Sequence, residues 1–271
     1  MSEAFDALVA IMDRLRDPGG CPWDREQTID TIRTFLLEET YEVIEALVKD
    51  DPAKCREELG DLLFQVVFIS RLYQERGDFT VDDAARGIAD KLVRRHPHVF
   101  GDTPAGSTAE TLKRWEAIKR AERKGTADSS ALSGVPRELP SLLRAYRLGV
   151  KAALVGFDWV KLEDVWAKVE EELAELKSAM AGLPSGAAHA APSPEAREEV
   201  GDLLFAVANL ARKLGIDPED ALRGTNDKFI RRFHHVEKRL EERGKGPAES
   251  TLDEMDKLWN EAKDLERGGR G

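Results

Sequence analysis

Apolar residues return along this chain at a helical period. Leu36, Val43 and Leu47 recur at roughly 3.6-residue spacing, and so do Leu59, Leu62, Leu63, Val66 and Val67. Strand-like runs that alternate apolar and polar positions are absent, as are Asn-Gly hairpin signals. Gly77 and Gly215 predict helix stops, and Thr80 and Asp217 predict the starts of the helices that follow. The pattern predicts an all-α protein.

The helical pattern is written twice. The first copy reads FLLEETYEVIEAL (Phe35–Leu47), REELGDLLF (Arg56–Phe64), KLVRRHPHVF (Lys91–Phe100) and ETLKRWEAIKRAER (Glu110–Arg123). The second reads KVEEELAELKSAM (Lys168–Met180), REEVGDLLF (Arg197–Phe205), KFIRRFHHVE (Lys228–Glu237) and EMDKLWNEAKDLER (Glu254–Arg267). GCPWD, from Gly20, is echoed by GFDW, from Gly156. Residues 125–141, GTADSSALSGVPRELPS, lack periodic apolar positions and read as a linker between a domain at 1–124 and another at 142–271. A second irregular stretch, Gly182–Ala196, is expected to form a long loop inside the second copy, where the first copy has only KDDPAKC.

Composition narrows the function. The 271 residues are 41% hydrophobic and 34% charged, with a formal net charge of −11. That balance fits a soluble folded chain and argues against a general nucleic-acid or membrane-surface binder. A phosphate ligand stays open, because bound cations can neutralise both partners. Cys21 and Cys55 form neither a disulfide framework nor a zinc pattern, which points to a reducing compartment. The longest apolar runs fall short of a membrane span, and no signal peptide opens the chain. The expected location is cytoplasmic, with no membrane and no nucleic-acid partner.

The acidic positions carry the chemistry. Glu39 and Glu42 lie three residues apart, as do Glu58 and Asp61. Residues three apart share a helix face, within about 6 Å at Cβ. Packed antiparallel, the two helices would gather four carboxylates. The second copy repeats the spacing with Glu172, Glu175, Glu199 and Asp202. Acids that close repel unless a cation sits among them, and oxygen-only donors favour Mg²⁺ or Mn²⁺. Acidic runs on helices are usually solvated faces. Here the acids abut the most hydrophobic segment of each copy, and the pattern survives in both while flanking residues differ. A di-iron carboxylate bundle would need Glu-x-x-His pairs, which neither copy has. His96 and His98 have no matching pair in the second copy and read as structural or surface residues.

Lys228, Arg231 and Arg232 form a local basic cluster suited to phosphate oxygens. Trp259 with Lys263, and Trp115 with Lys119, each set an aromatic plate one turn from a cation, where a base can stack. Taken singly, each Trp is more often core.

Together the blocks GCPWD, LLEETYEV, EELGDLLFQVVF, DKLVRRHPHVF, RWEAIK, GFDW, EEVGDLLFAVANLAR and NDKFIRRF resemble the full-length bacterial MazG family over nearly the whole chain. The resemblance implies two tandem all-α MazG domains, a homodimer, and Mg²⁺-dependent hydrolysis of NTPs and dNTPs to monophosphate and pyrophosphate. The family's EExxE and ExxD pattern is matched by Glu38, Glu39, Glu42, Glu58 and Asp61, and by Glu171, Glu172, Glu175, Glu199 and Asp202. It implies that the second domain carries the activity, with Lys168, Lys228, Arg232, Trp259 and Lys263 in its site. At the position of Lys168 the first copy has Phe35, a lost cation that predicts a weaker or different first site.

The expected chemistry is direct hydrolysis, with Glu171 as general base and Lys168, Lys228 and Arg232 offsetting charge on the departing pyrophosphate. A nucleotide-binding regulator that does not hydrolyse, a hydrolase of an alarmone such as ppGpp, and an assembly scaffold are the rival readings.

Overall fold

The computed structural model describes residues 2–102, 104, 106–122, 130–181 and 193–268. Twelve α-helices and no strands occur among the described residues: α1 (Glu3–Arg16), α2 (Pro22–Glu26), α3 (Ile29–Val48), α4 (Pro52–Glu75), α5 (Val81–Arg95), α6 (Pro97–Phe100), α7 (Thr108–Glu122), α8 (Ser141–Ala153), α9 (Leu162–Met180), α10 (Pro194–Lys213), α11 (Pro218–Glu241) and α12 (Leu252–Gly268). The chain divides into two compact units, Met1–Lys119 and Arg120–Gly271.

Local chemistry sets the helix ends. Thr28 and Thr31 close a reciprocal capping box on α3, and Thr80 with Asp83 does the same on α5. Asp51 caps α4 by accepting from the Ala53 and Lys54 amides, with Pro52 opening the helix; Asp217 and Pro218 repeat the device on α11. Each such cap contributes about 1 kcal/mol. The expected starts at Thr80 and Asp217 are therefore observed. Gly77 and Gly215, the expected stops, carry φ of 78° and 71°, a left-handed conformation that penalises a side chain with Cβ.

In the first unit, α1, α3 and α4 converge on Met12, Ile32, Val67, Phe68 and Leu72. Arg16 ties α1 to the end of α4, with its guanidinium donating to both Glu75 carboxylate oxygens at 2.7 and 2.8 Å and to the Asp24 carbonyl. In the second unit, α10 packs against α9 and α8, and α11 pairs with α12 around Val236, Leu240 and Leu258. Asp158, from the GFDW block, accepts from Arg212 at 2.6 Å and Lys213 at 2.8 Å, fixing the approach to α9 against α10.

Within the expected linker, residues 130–140 fold as turns that bury Ser133, and 125–129 lie outside the described residues. The loop expected at Gly182–Ala196 is shorter than its composition implied. Ser193 accepts from the Ala196 amide, Pro194 occupies the first turn, and Ala196 is buried, so α10 has begun before that stretch ends. Residues 182–192 lie outside the described residues.

Candidate metal and nucleotide site

The turn Lys49–Asp51 joins α3 and α4 into an antiparallel hairpin, and the apolar stripes of the two helices close it. Carboxylate oxygens of Glu39, Glu58 and Asp61 then lie within 4.8 Å of one another. Those of Glu172, Glu199 and Asp202 do the same between α9 and α10. Glu58 and Glu172 are almost wholly buried, at 2% and 5% exposure. The structure gathers three acids in each unit rather than the expected four. Glu42 and Glu175 fall outside these groups, although each interacts electrostatically with a member, Glu58 and Glu199 respectively. The charge of Glu58 is the main cause of the raised pKa of Glu42. Burial, then the charges of Glu175, Glu172 and Asp202, push the Glu199 carboxyl up. Burial also raises Glu39, followed by the charges of Asp61 and Glu42. Each group is therefore a knot of mutually repelling oxygens held together by helix packing.

One lysine enters each knot. In the second unit, Lys168 Nζ lies 2.7 Å from Glu172 Oε1 and 2.9 Å from Glu171 Oε1. The expectation that the first unit lacks this cation needs correction, because Lys54 supplies it from the neighbouring helix. Lys54 Nζ lies 2.5 Å from Glu58 Oε1 and 3.2 Å from Glu57 Oε1. Both ammonium groups have raised pKa values, from hydrogen bonds to Glu172 then Glu171 for Lys168, and to Glu58 then Glu57 for Lys54. An alignment of the two copies hides Lys54, because the position of Lys168 holds Phe35. Its spacing of four from Glu58 is the signal that finds it.

The donor chemistry in both units is oxygen alone, with at least one ligand buried and several lone pairs facing one another. That set fits a hard divalent cation. No zinc-type or mixed nitrogen–oxygen group of three occurs among the described residues.

The basic and aromatic residues gather on other helices. Arg232 on α11 donates to Glu266 on α12 at 2.6 Å, and its guanidinium lies 5.6 Å from the centre of the Trp259 ring. Trp259 is half-buried, packs on Phe229 at 5.0 Å and joins the Val236–Leu240–Leu258 core. Arg231 lies 3.7 Å from the same Glu266. Lys263 donates to Asn260 at 3.3 Å, and half-buried Lys228 sits one turn before Arg232. On α7, Lys119 lies 4.1 Å above the Trp115 ring and pairs with Glu116 at 3.0 Å. So α9 and α10 assemble the acids, while the expected phosphate and base contacts lie on α11 and α12, with Arg232 set against Trp259.

Comparison with known proteins agrees with this division of the chain. The MazG nucleotide pyrophosphohydrolase domain matches it twice, at residues 27–100 and 161–237. The chain is 47% identical over 262 residues to the nucleoside triphosphate pyrophosphohydrolase of Escherichia coli K12, covering 96% of this chain and 97% of that one. It is 44% identical over 259 residues to the nucleoside triphosphate pyrophosphohydrolase/pyrophosphatase MazG of Thermotoga maritima, covering 96% and 95%. A crystal structure of a MazG-related protein from Thermotoga maritima aligns at 30% identity over 42% of this chain and 98% of its own, with a TM-score of 0.37. Two matched domains on two acid-bearing hairpins, and relatives aligned end to end, place the chain in the MazG nucleotide pyrophosphohydrolase family.

Proposed function

We propose that this protein hydrolyses nucleoside triphosphates, ribo- and deoxyribo-, to the monophosphate and pyrophosphate, and that the second unit does the work. The observation that carries the reading is the Glu172–Glu199–Asp202 group with Lys168 docked on it. The names of the end-to-end relatives support the same reaction.

Glu172, Glu175, Glu199 and Asp202 are the residues that would hold Mg²⁺, or Mn²⁺ in its place. When bound, the ion supplies positive charge for the triphosphate and acidity for a nearby water. Everything else falls to the chain's own side chains. Glu171 precedes the buried Glu172 and remains about half exposed, so its carboxylate can accept the proton of the attacking water. Attack at the α-phosphorus forms the new P–O bond as the bond to the α–β bridging oxygen breaks, and the electron pair leaves with pyrophosphate. Lys168 then answers the charge that grows on that leaving group. Lys228 and Arg232 provide further positive charge, and Trp259 provides a ring edge for the base. No covalent enzyme intermediate is needed.

We also read the protein as a cytoplasmic homodimer. The free cysteines Cys21 and Cys55 suit a reducing compartment, and no helix among the described residues is long and apolar enough to cross a membrane. The reading of the reaction is tested by incubating the full chain with a panel of NTPs and dNTPs and Mg²⁺. Equal amounts of monophosphate and pyrophosphate are expected. Diphosphate with inorganic phosphate, or binding without products, overturns it.

A further inference from the structure

An acid stands among the cations that would meet phosphate in the second unit. Trp259, Lys263 and Glu266 lie at i, i+4 and i+7 on α12, so a ring, a cation and a carboxylate share one face of that helix. Glu266 Oε2 accepts from Arg232 Nε at 3.0 Å and from Arg232 Nη2 at 2.6 Å. The centre of the Trp259 ring lies 5.6 Å from the same guanidinium, and Arg231 lies 3.7 Å from the other Glu266 oxygen. Arg232 is 17% exposed and Glu266 29%, so the pair is mostly withdrawn from water. The first copy writes the same two residue types at the matching positions, Arg95 and Glu122.

Which edge of the guanidinium is engaged decides what the arginine can still do. A guanidinium offers two edges to a two-point acceptor, Nε with one Nη group, and the two Nη groups together. Glu266 takes the first. Arg232 Nη1 makes no hydrogen bond among the described residues, so the second edge is left to a ligand. Fixing an arginine side chain removes rotamer freedom, and a residue that fixes it beforehand takes that cost out of ligand binding. On charge alone Glu266 is misplaced, because a carboxylate repels a polyanion.

We propose that Glu266 is a positioning residue for the hydrolysis read from the second unit. It holds the Nε–Nη2 edge of Arg232 beside Trp259, so that Nη1 and the remaining N–H of Nη2 meet two oxygens of the phosphate chain. Glu266 touches neither phosphate nor base and acts through Arg232. Preorganisation of Arg232 outweighs the repulsion between Glu266 and the ligand. The inference rests on the reading of Arg232 as a phosphate contact, and deepens it by naming what orients that contact.

The test uses the full chain, titrated by calorimetry with α,β-methylene-dGTP and Mg²⁺ and assayed in parallel on dGTP. Glu266→Ala frees Arg232 and should weaken analogue binding roughly 10-fold, the share of a charge-assisted contact that orientation secures. Glu266→Gln keeps an oxygen on the Nε–Nη2 edge and loses the repelling charge, so it should bind no more weakly than wild type. In an Arg232→Ala background, Glu266→Ala should weaken binding no further. Circular dichroism and urea melts check that each variant is folded. A residue that only held α12 in place would add its loss to that of Arg232→Ala, and one that only neutralised Arg232 would tighten binding when removed. Either result overturns the proposal, as does wild-type affinity in Glu266→Ala or absence of analogue binding by the wild type. Hydrolysis of dGTP by the wild type beside no coupling between the two positions defeats this proposal alone. Coupling in analogue binding beside no hydrolysis supports it and defeats the proposed reaction.

Discussion

Lys168 Nζ lies 2.7 Å from Glu172 Oε1, one turn further along α9. The carboxylate is nearly buried and the lysine only partly so, which makes Glu172 the fixed member of the pair and Lys168 the one free to swing. A charge-assisted contact that tightens on the leaving pyrophosphate contributes about 1.5–3 kcal/mol, roughly 10- to 100-fold in rate. At the position of that lysine on α3 the first unit has Phe35. Glu172→Ala should therefore remove nearly all turnover and Glu39→Ala should leave most of it. Parallel assays of both variants on one dNTP decide the matter; a larger loss in Glu39→Ala makes the first unit the catalyst.

Glu175→Ala and Asp202→Ala should each abolish pyrophosphate release while leaving the helical content intact. Removing one acid from a crowded group relieves repulsion in the metal-free chain, so the fold has no reason to suffer. Far-UV circular dichroism and urea melts in EDTA, set beside the product assay, check both halves. A metal-free variant less stable than metal-free wild type assigns these acids to structure.

Much of this was legible in the sequence, for reasons particular residues make plain. Glu39 with Glu42, and Glu58 with Asp61, advertise themselves because spacing of three fixes a shared helix face before any packing is known. Thr80 and Asp217 are legible because capping is local chemistry. Lys54 is legible in the same way, four residues before Glu58 on α4, but an alignment of the two copies hides it because the position of Lys168 holds Phe35. A different limit hides Glu266, whose bond to Arg232 crosses between α11 and α12. Pairings within one helix can be counted along the chain, while pairings between helices wait for the fold.

Acid should loosen the protein through two ion-paired carboxylates remote from the acidic groups. The Glu75 carboxyl sits below its ordinary value of 4.5, first through the hydrogen bond from Arg16 and then through the charges of Arg16 and Arg71. Burial pushes Asp158 upward, but hydrogen bonds from Arg212 and Lys213 outweigh it and bring it below 3.8. A folded pKa below the unfolded one gives stability that is present at neutral pH and lost as pH falls towards the folded value. The urea midpoint should hold its contribution from these pairs down to about pH 5 and lose it progressively below pH 4.5. Arg16→Ala should cost about 1.5 kcal/mol at pH 7 and flatten the acid decline. An unchanged acid limb in that variant removes Glu75 from the explanation.

Two glycines bear on assembly. Gly60 and Gly201 sit within α4 and α10, where a glycine costs about 1 kcal/mol relative to alanine. A Cβ built at either meets nothing within 4 Å in its own chain. Beside them run exposed apolar stripes in the same register, Leu59, Leu63 and Val66 on α4, and Val200, Leu204 and Val207 on α10. A bare backbone flanked by unburied leucine and valine suits the close approach of another helix, and a second copy of the chain brings the matching stripe. Light scattering at micromolar concentration should give twice the chain mass of 30.2 kDa. Leu63→Asp or Leu204→Asp should lower that mass by placing a charge in the covered face. Gly201→Ala separates the two states of this face: exposed to water, the alanine should stabilise the helix by up to about 1 kcal/mol, whereas against a partner helix it should weaken association. A mass near 30.2 kDa with a stabilised Gly201→Ala variant sinks the homodimer.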